Sequence, residues 1–233
     1  MTESTYAHPE LLTSAAWLSE HLGDAQLKVV DARGADEYAE AHIPGALLLP
    51  AGAFRSTGDV PGICTPEEFA ATAGALGIAA NDVVVCYDAT GPAAGRAWWA
   101  FTHFGHRDVR FLNGGIRQWL AGAHPTTTRT PALELATYSL GTADDSLVCS
   151  LPQAVAGVDD GSVLFWDVRT EGEFSGATPR DNPPDRAGHL PGAVHLEWTE
   201  LVDAETGLFK PADAMERILQ AKGITPEKAV GAY

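Results

Sequence analysis

The stretch VVDARGADEYAEAHIPGA, Val29–Ala46, decides how this chain is read, because it occurs twice. The second copy is FWDVRTEGEFSGATPRDNPPDRAGHLPGA, Phe165–Ala193. Asp31 and Arg33 map onto Asp167 and Arg169, 136 residues on. His42, Pro44 and Gly45 map onto His189, Pro191 and Gly192, 147 residues on, so the second copy carries an insertion of 11. Further along, LGIAANDVVVCY (Leu76–Tyr87) matches KGITPEKAVGAY (Lys222–Tyr233), 146 residues on. A period this long exceeds that of solenoid repeats and indicates two copies of one domain. We therefore expect a first domain over 1–125, a linker over 126–146 and a second domain over 147–233. The Thr, Pro and Gly content of the middle stretch, without sustained periodicity, suits an extended connection.

Each copy alternates strand and helix. LKVVDAR and VLFWDVR are short apolar runs ending in polar residues, as buried parallel strands do. TPEEFAATAGALG opens a helix with Thr65 as N-cap, Pro66 in the first turn and Glu68 completing a capping box, and Gly77 closes it. VVVCY is the next strand, Gly95–Gly105 an apolar helix, Val109–Gly115 a strand and IRQWLAG a helix. Strands separated by helices imply an α/β fold with a parallel sheet covered on both faces. Ligands then belong at the carboxyl ends of the strands.

Composition narrows the function classes. Hydrophobic content of 45% is that of a folded globular chain. A net charge of −16 repels phosphate backbones and argues against nucleic-acid binding. No run of 18 apolar residues predicts a membrane span, and the first residues lack a basic patch followed by an apolar core, so a cytoplasmic location is expected. Three scattered cysteines, Cys64, Cys86 and Cys149, suggest neither a disulfide framework nor a zinc site.

The set D-x-R, E-[YF], H-[IL]-P-G-A, then VVVCYD and GRAWWAFTHFGHRDVRFLNGGIRQW, closely resembles the two-domain rhodanese-type sulfurtransferases, which include thiosulfate and 3-mercaptopyruvate sulfurtransferases. The resemblance covers nearly the whole chain. It implies two tandem rhodanese-like domains with parallel five-stranded sheets flanked by helices. It also implies a small anionic sulfur donor, a thiophilic acceptor, and no cofactor beyond a cysteine persulfide. In the family the nucleophilic cysteine follows the fourth strand of the second domain, where a tight loop and a helix start lower the thiol pKa.

Asp88 occupies that place in the first copy. A carboxylate cannot form a persulfide, so the first domain is read as catalytically silent. In the second copy Tyr233 is the counterpart of Tyr87, and the resemblance puts the nucleophile immediately after it. The chain as given is thus expected to stop one residue short, with its second domain incomplete and no turnover of its own. A non-catalytic rhodanese-fold binding or regulatory protein is the alternative. A relationship to Cys-dependent phosphatases sharing the fold would need the same cysteine.

Cys86, two residues before Asp88, lies in an apolar strand and reads as a small buried hydrophobe. Cys64 and Cys149 match no catalytic position. His42 and His189 read as hydrogen-bonded supports of the turn before PGA rather than metal ligands. Asp31–Arg33 and Asp167–Arg169 read as structural ion pairs. Trp98, Trp99, Phe101 and Phe104 read as helix packing. Arg180 and Arg186, in the insertion, either bind the donor's anionic group or solvate an exposed loop. The resemblance places Glu173 where mercaptopyruvate enzymes carry an arginine, which weakens that donor assignment.

Overall fold

The structure is a computed structural model that describes residues 6–56, 62–178 and 186–233. The chain forms two compact units, one built from Ala7–Leu147 with Thr206–Leu208, the other from Tyr6, Val148–Glu205 and Phe209–Tyr233.

The first unit holds a five-stranded sheet: β1 (Leu12–Thr13), β2 (Leu27–Asp31), β3 (Leu47–Leu48), β4 (Val83–Tyr87) and β5 (Asp108–Leu112). Their spatial order is β1-β5-β4-β2-β3, and neighbouring strands run parallel. Five helices connect them: α1 (Ala15–His21), α2 (Ala35–Glu40), α3 (Pro66–Ala75), α4 (Pro92–His103) and α5 (Gly115–Ala121). The capping residues behave as their chemistry requires. The Thr65 hydroxyl accepts from Glu68 N while Glu68 Oε2 accepts from Thr65 N at 2.9 Å, so two orphan donors at the start of α3 are satisfied reciprocally.

The period-2 alternation of β4 divides the core. Val84 and Cys86 face one layer with Phe69, Ala97, Phe101 and Phe104, supplied by α3, α4 and the turn after it. Val85 and Tyr87 face the other with Leu18, Leu112, Ile116 and Trp119, supplied by α1, α5 and β5. Burial on both faces explains why VVVCY is apolar throughout. The aromatics of α4 divide accordingly: Phe101 and Phe104 are buried, while Trp98 and Trp99 are half-buried with their indole N–H groups on Val109 O and Leu147 O.

Thr126–Leu147 runs along this unit almost without regular structure, apart from an antiparallel bridge between Thr127 and His42 and a short 3-10 turn at Asp145–Leu147. Glycines permit its close approach. A Cβ on Gly77, at φ +71°, would lie 2.6 Å from Glu134 O, and one on Gly74 would lie 2.5 Å from Ala136 O.

The second unit holds α6 (Leu151–Asp160), β6 (Val163–Asp167), α7 (Glu171–Ser175), β7 (Val194–His195), α8 (Ala212–Ala221) and β8 (Ala229–Ala232). Its three strands are parallel in the order β7-β6-β8. They correspond to β3, β2 and β4 of the first unit. In the first unit β4 is paired on its far side by β5, whereas β8 has no second partner among the described residues. Val230 on β8 is 39% exposed, and Leu151 and Val155 of α6 are 71% and 53% exposed. An open strand edge beside exposed apolar side chains lowers local stability and invites pairing with other chains. Limited proteolysis of the 233-residue chain should therefore cut within the second unit first and leave a resistant fragment spanning the first. Equal survival of both units on a gel time course would contradict this.

Candidate active site at the carboxyl ends of the strands

Both units build the same frame where their central strands end. In the first, Asp31 closes β2 with its side chain fully buried, and Arg33 folds back onto it in a two-pronged contact, Nε–Oδ1 at 3.0 Å and Nη2–Oδ2 at 2.6 Å. The same guanidinium donates to Ala41 O at 2.8 Å. The Tyr87 hydroxyl donates to Asp31 Oδ2 and accepts from Ile43 N. Arg33 also lies over the Tyr87 ring, 5.5 Å from its centre. Burial opposes the Arg33 charge, yet Asp31 outweighs it and holds the guanidinium pKa above its ordinary value. Burial, reinforced by Asp31, pushes the Tyr87 phenol up, so it remains a proton donor.

The second unit repeats this set. Arg169 meets Asp167 at 2.9 and 2.5 Å and donates to Gly188 O at 2.9 Å. Leu190 N donates to the Tyr233 hydroxyl at 3.0 Å, and Arg169 lies 5.3 Å from the Tyr233 ring centre. Burial opposes the Asp167 charge, but bonds from Arg169 outweigh it and hold its pKa below the ordinary carboxylate value. The histidines support these turns. His42 Nδ1 donates to Tyr38 O at 2.7 Å and its ring stacks on Tyr38 at 3.7 Å; His189 does the same with Phe174, at 2.8 and 3.8 Å. Among the described residues no group of three or more His, Cys, Asp or Glu could hold a metal ion.

The loop after β4 holds Asp88, only 4% exposed. Its Oδ1 accepts from Thr90 N at 2.9 Å and from Gly91 N; its Oδ2 accepts from Ala93 N and Ala94 N, each at 2.9 Å. Four backbone donors at the start of α4 thus converge on one buried carboxylate, a geometry that stabilises negative charge. The NGG turn makes room for it. Gly115 has φ +54°, and a Cβ there would fall 2.2 Å from Asp88 O, which accepts from Ile116 N at 3.0 Å. Cys86 is fully buried in the layer with Phe101 and Ala94; burial, reinforced by Asp88, pushes its thiol pKa far up. Cys64 is buried too, its thiol pushed up to about 11, while Cys149 is exposed. Neither buried thiol has the setting of a reactive thiolate.

Of the two arginines in the insertion, Arg180 lies outside the described residues, and Arg186 is exposed on a loop near the His189 turn. Glu173 accepts from Thr170 N at 3.2 Å and completes the capping box of α7, a structural task. Sequence reasoning passed over Tyr87 and Tyr233 as hubs of the two frames. Their recurrence at matched positions was the available signal, but a tyrosine's partners cannot be read along the chain.

The fold is the α/β rhodanese fold. The family model for the rhodanese-like domain matches residues 14–122. The chain is 36% identical over 222 residues to the thiosulfate sulfurtransferase of Corynebacterium glutamicum, covering 91% of this chain and 73% of that protein. It is 33% identical over 241 residues to the sulfur carrier protein TtuD of Thermus thermophilus, covering 98% and 83%. Its backbone matches the Escherichia coli 3-mercaptopyruvate sulfurtransferase SseA with a TM-score of 0.82 at 27% identity, covering 95% and 87%. The chain belongs to the rhodanese-type thiosulfate/3-mercaptopyruvate sulfurtransferase family.

The geometry singles out two substitutions. Asp31→Ala leaves a buried guanidinium and a buried hydroxyl without their acceptor and should cost about 3–5 kcal/mol. Asp88→Ala leaves four backbone N–H groups without an acceptor, at about 1–3 kcal/mol for each that water does not reach. Urea unfolding of the first unit, followed by tryptophan fluorescence, should show both losses, and an unchanged midpoint in either variant would contradict the geometry.

Proposed function

We propose that this protein moves a sulfane sulfur atom from thiosulfate, or a related anionic donor, to cyanide or a thiol through a cysteine persulfide. The observation that carries the reading is the Asp88 cradle. A loop in this position, in this chain, gathers four backbone N–H groups around a buried anion. β8 leads to Tyr233 within the same Asp–Arg–Tyr frame that precedes Asp88. We propose that the nucleophilic cysteine belongs at the position following Tyr233, in register with Asp88.

The chemistry follows from that placement. The thiolate attacks the outer sulfur of thiosulfate, a new S–S bond forms, and sulfite leaves with the electrons of the old one. Cyanide carbon then attacks the outer persulfide sulfur, thiocyanate departs, and the thiolate is regenerated. Converging N–H groups stabilise both thiolate and persulfide anions. Arg180 and Arg186 are proposed to bind the donor's anionic group. The first unit is silent because a carboxylate fills its cradle. A cytoplasmic location is part of this reading; among the described residues no helix is long and apolar enough to cross a membrane.

Cys64, Cys86 and Cys149 all stand away from the position in register with Asp88, so thiocyanate formation is proposed to need a cysteine at that position. The rival reading, a non-catalytic binding or regulatory protein, draws on the same Asp88 substitution. Thiosulfate:cyanide sulfurtransfer separates the two. The 233-residue chain should form no thiocyanate, whereas the chain continued by its source reading frame should form it and carry a persulfide mass of one added sulfur. A continued chain with no cysteine at that position, or with no turnover, would favour the binding reading. In an active continued chain, Arg186→Glu should raise the donor KM with little change in kcat, and an unchanged KM would remove Arg186 from the donor site.

A further inference from the structure

The run Thr126–Leu147, which joins the first unit to Val148, is held in an unusual way. Tyr138 is its one buried residue; Leu133, Leu135 and Leu140 are 48%, 80% and 41% exposed. The Tyr138 ring packs edge-on against Phe69, 5.2 Å between centres, inside the first core layer. Among the described residues its hydroxyl meets one partner, His106 Nδ1, at 2.8 Å. The other ring nitrogen, Nε2, faces Asp82 O at 2.8 Å. A carbonyl oxygen can only accept, so Nε2 carries the proton and Nδ1 accepts from Tyr138. The latch is thus complete only with a neutral imidazole. A second proton on Nδ1 would force the phenol to turn its own hydrogen away, toward apolar neighbours.

Every element around His106 bears on that proton. From α4 comes the Phe101 ring, 5.3 Å away edge-on. From the turn before β4 comes Asp82, whose carboxylate is tied to Ala79 N at 2.7 Å. From β5 comes Asp108, whose carboxylate is held by Arg110 at 2.7 and 2.8 Å. From the strap comes Tyr138, its phenol pushed up to about 12 by burial and so a standing donor. Burial pulls the His106 pKa below its ordinary value, although Asp82 and Asp108 favour the charged ring. The linkage has one sign. A histidine buried neutral binds its proton more readily once released, so closure is favoured above the ordinary pKa and weakens as pH falls through it.

His42 Nε2 also meets Arg129 O at 3.3 Å and His103 Nδ1 meets Asp144 O at 2.9 Å, but a ring nitrogen facing a carbonyl donates, and a second proton leaves that donation in place. We propose that Thr126–Leu147 is a strap latched at its buried side chain by the proton-sensitive pair His106–Tyr138, and that mild acid releases it from the first unit. Release would free the covalent connection to the second unit while the sheet stays folded.

Amide hydrogen exchange on the 233-residue chain tests this. The Ala136 N–H, bonded to Gly74 O at 2.9 Å, and the Asp144 N–H, bonded to His103 O at 2.7 Å, report on the strap; α3 amides report on global opening. Between about pH 7.5 and about pH 5.5, after correction for intrinsic exchange, strap protection should fall about tenfold relative to α3. His106→Gln should abolish that fall. Should this variant fail to fold, the His106 ring titration followed by NMR in the unaltered chain must track strap opening, with a midpoint below that of a free histidine. Strap protection that stays flat, falls only in step with α3, or falls equally in His106→Gln overturns the proposal.

Discussion

A buried carboxylate at the end of the second strand organises the rest of the site in the first unit, and its counterpart does so in the second. Asp31 and Asp167 each accept a two-pronged arginine from two residues on, and that arginine ties down a carbonyl in the turn before the following strand. In the first unit the carboxylate also takes the hydroxyl of Tyr87, which stands just before the loop. A buried charge without partners would cost several kcal/mol, so the arginine, the turn and the tyrosine must settle together. In this way an ion pair close in sequence fixes two segments that are far apart in sequence.

The loop that follows inherits this rigidity. With Tyr87 pinned from both sides, Asp88 starts from a set position, and the backbone donors of α4 close around its carboxylate. The NGG turn contributes through what it lacks, since a side chain at Gly115 would occupy the Asp88 carbonyl. The first unit therefore holds a buried carboxylate inside a cradle of backbone donors. A carboxylate supplies charge and hydrogen-bond acceptors but no nucleophile able to bear a sulfane sulfur.

The strap shows the opposite economy of contact. Glycines at 74, 77 and 105 let its backbone lie close, but only one side chain enters the core. Backbone hydrogen bonds near solvent hold it with little apolar burial, which is the composition of a segment that opens locally before the whole unit does.

Much was legible along the chain. The doubled motif implied two related α/β units, apolar runs marked β2, β4 and β6, and the capping box at Thr65–Glu68 marked α3, because period, burial and capping are local properties of a sequence. The likeness to rhodanese-type sulfurtransferases was carried by the same motifs. The insertion around Arg180 shows where such reading thins, since spacing alone does not say which arginine meets an anion. The partners of Tyr87, the four donors around Asp88 and the entry of Tyr138 into the core beside His106 were settled by tertiary structure alone. Each joins groups 32 to 56 residues apart, or loop geometry set by such contacts, and side-chain partnership at that range depends on how sheets and helices pack rather than on any pattern written in order along the chain.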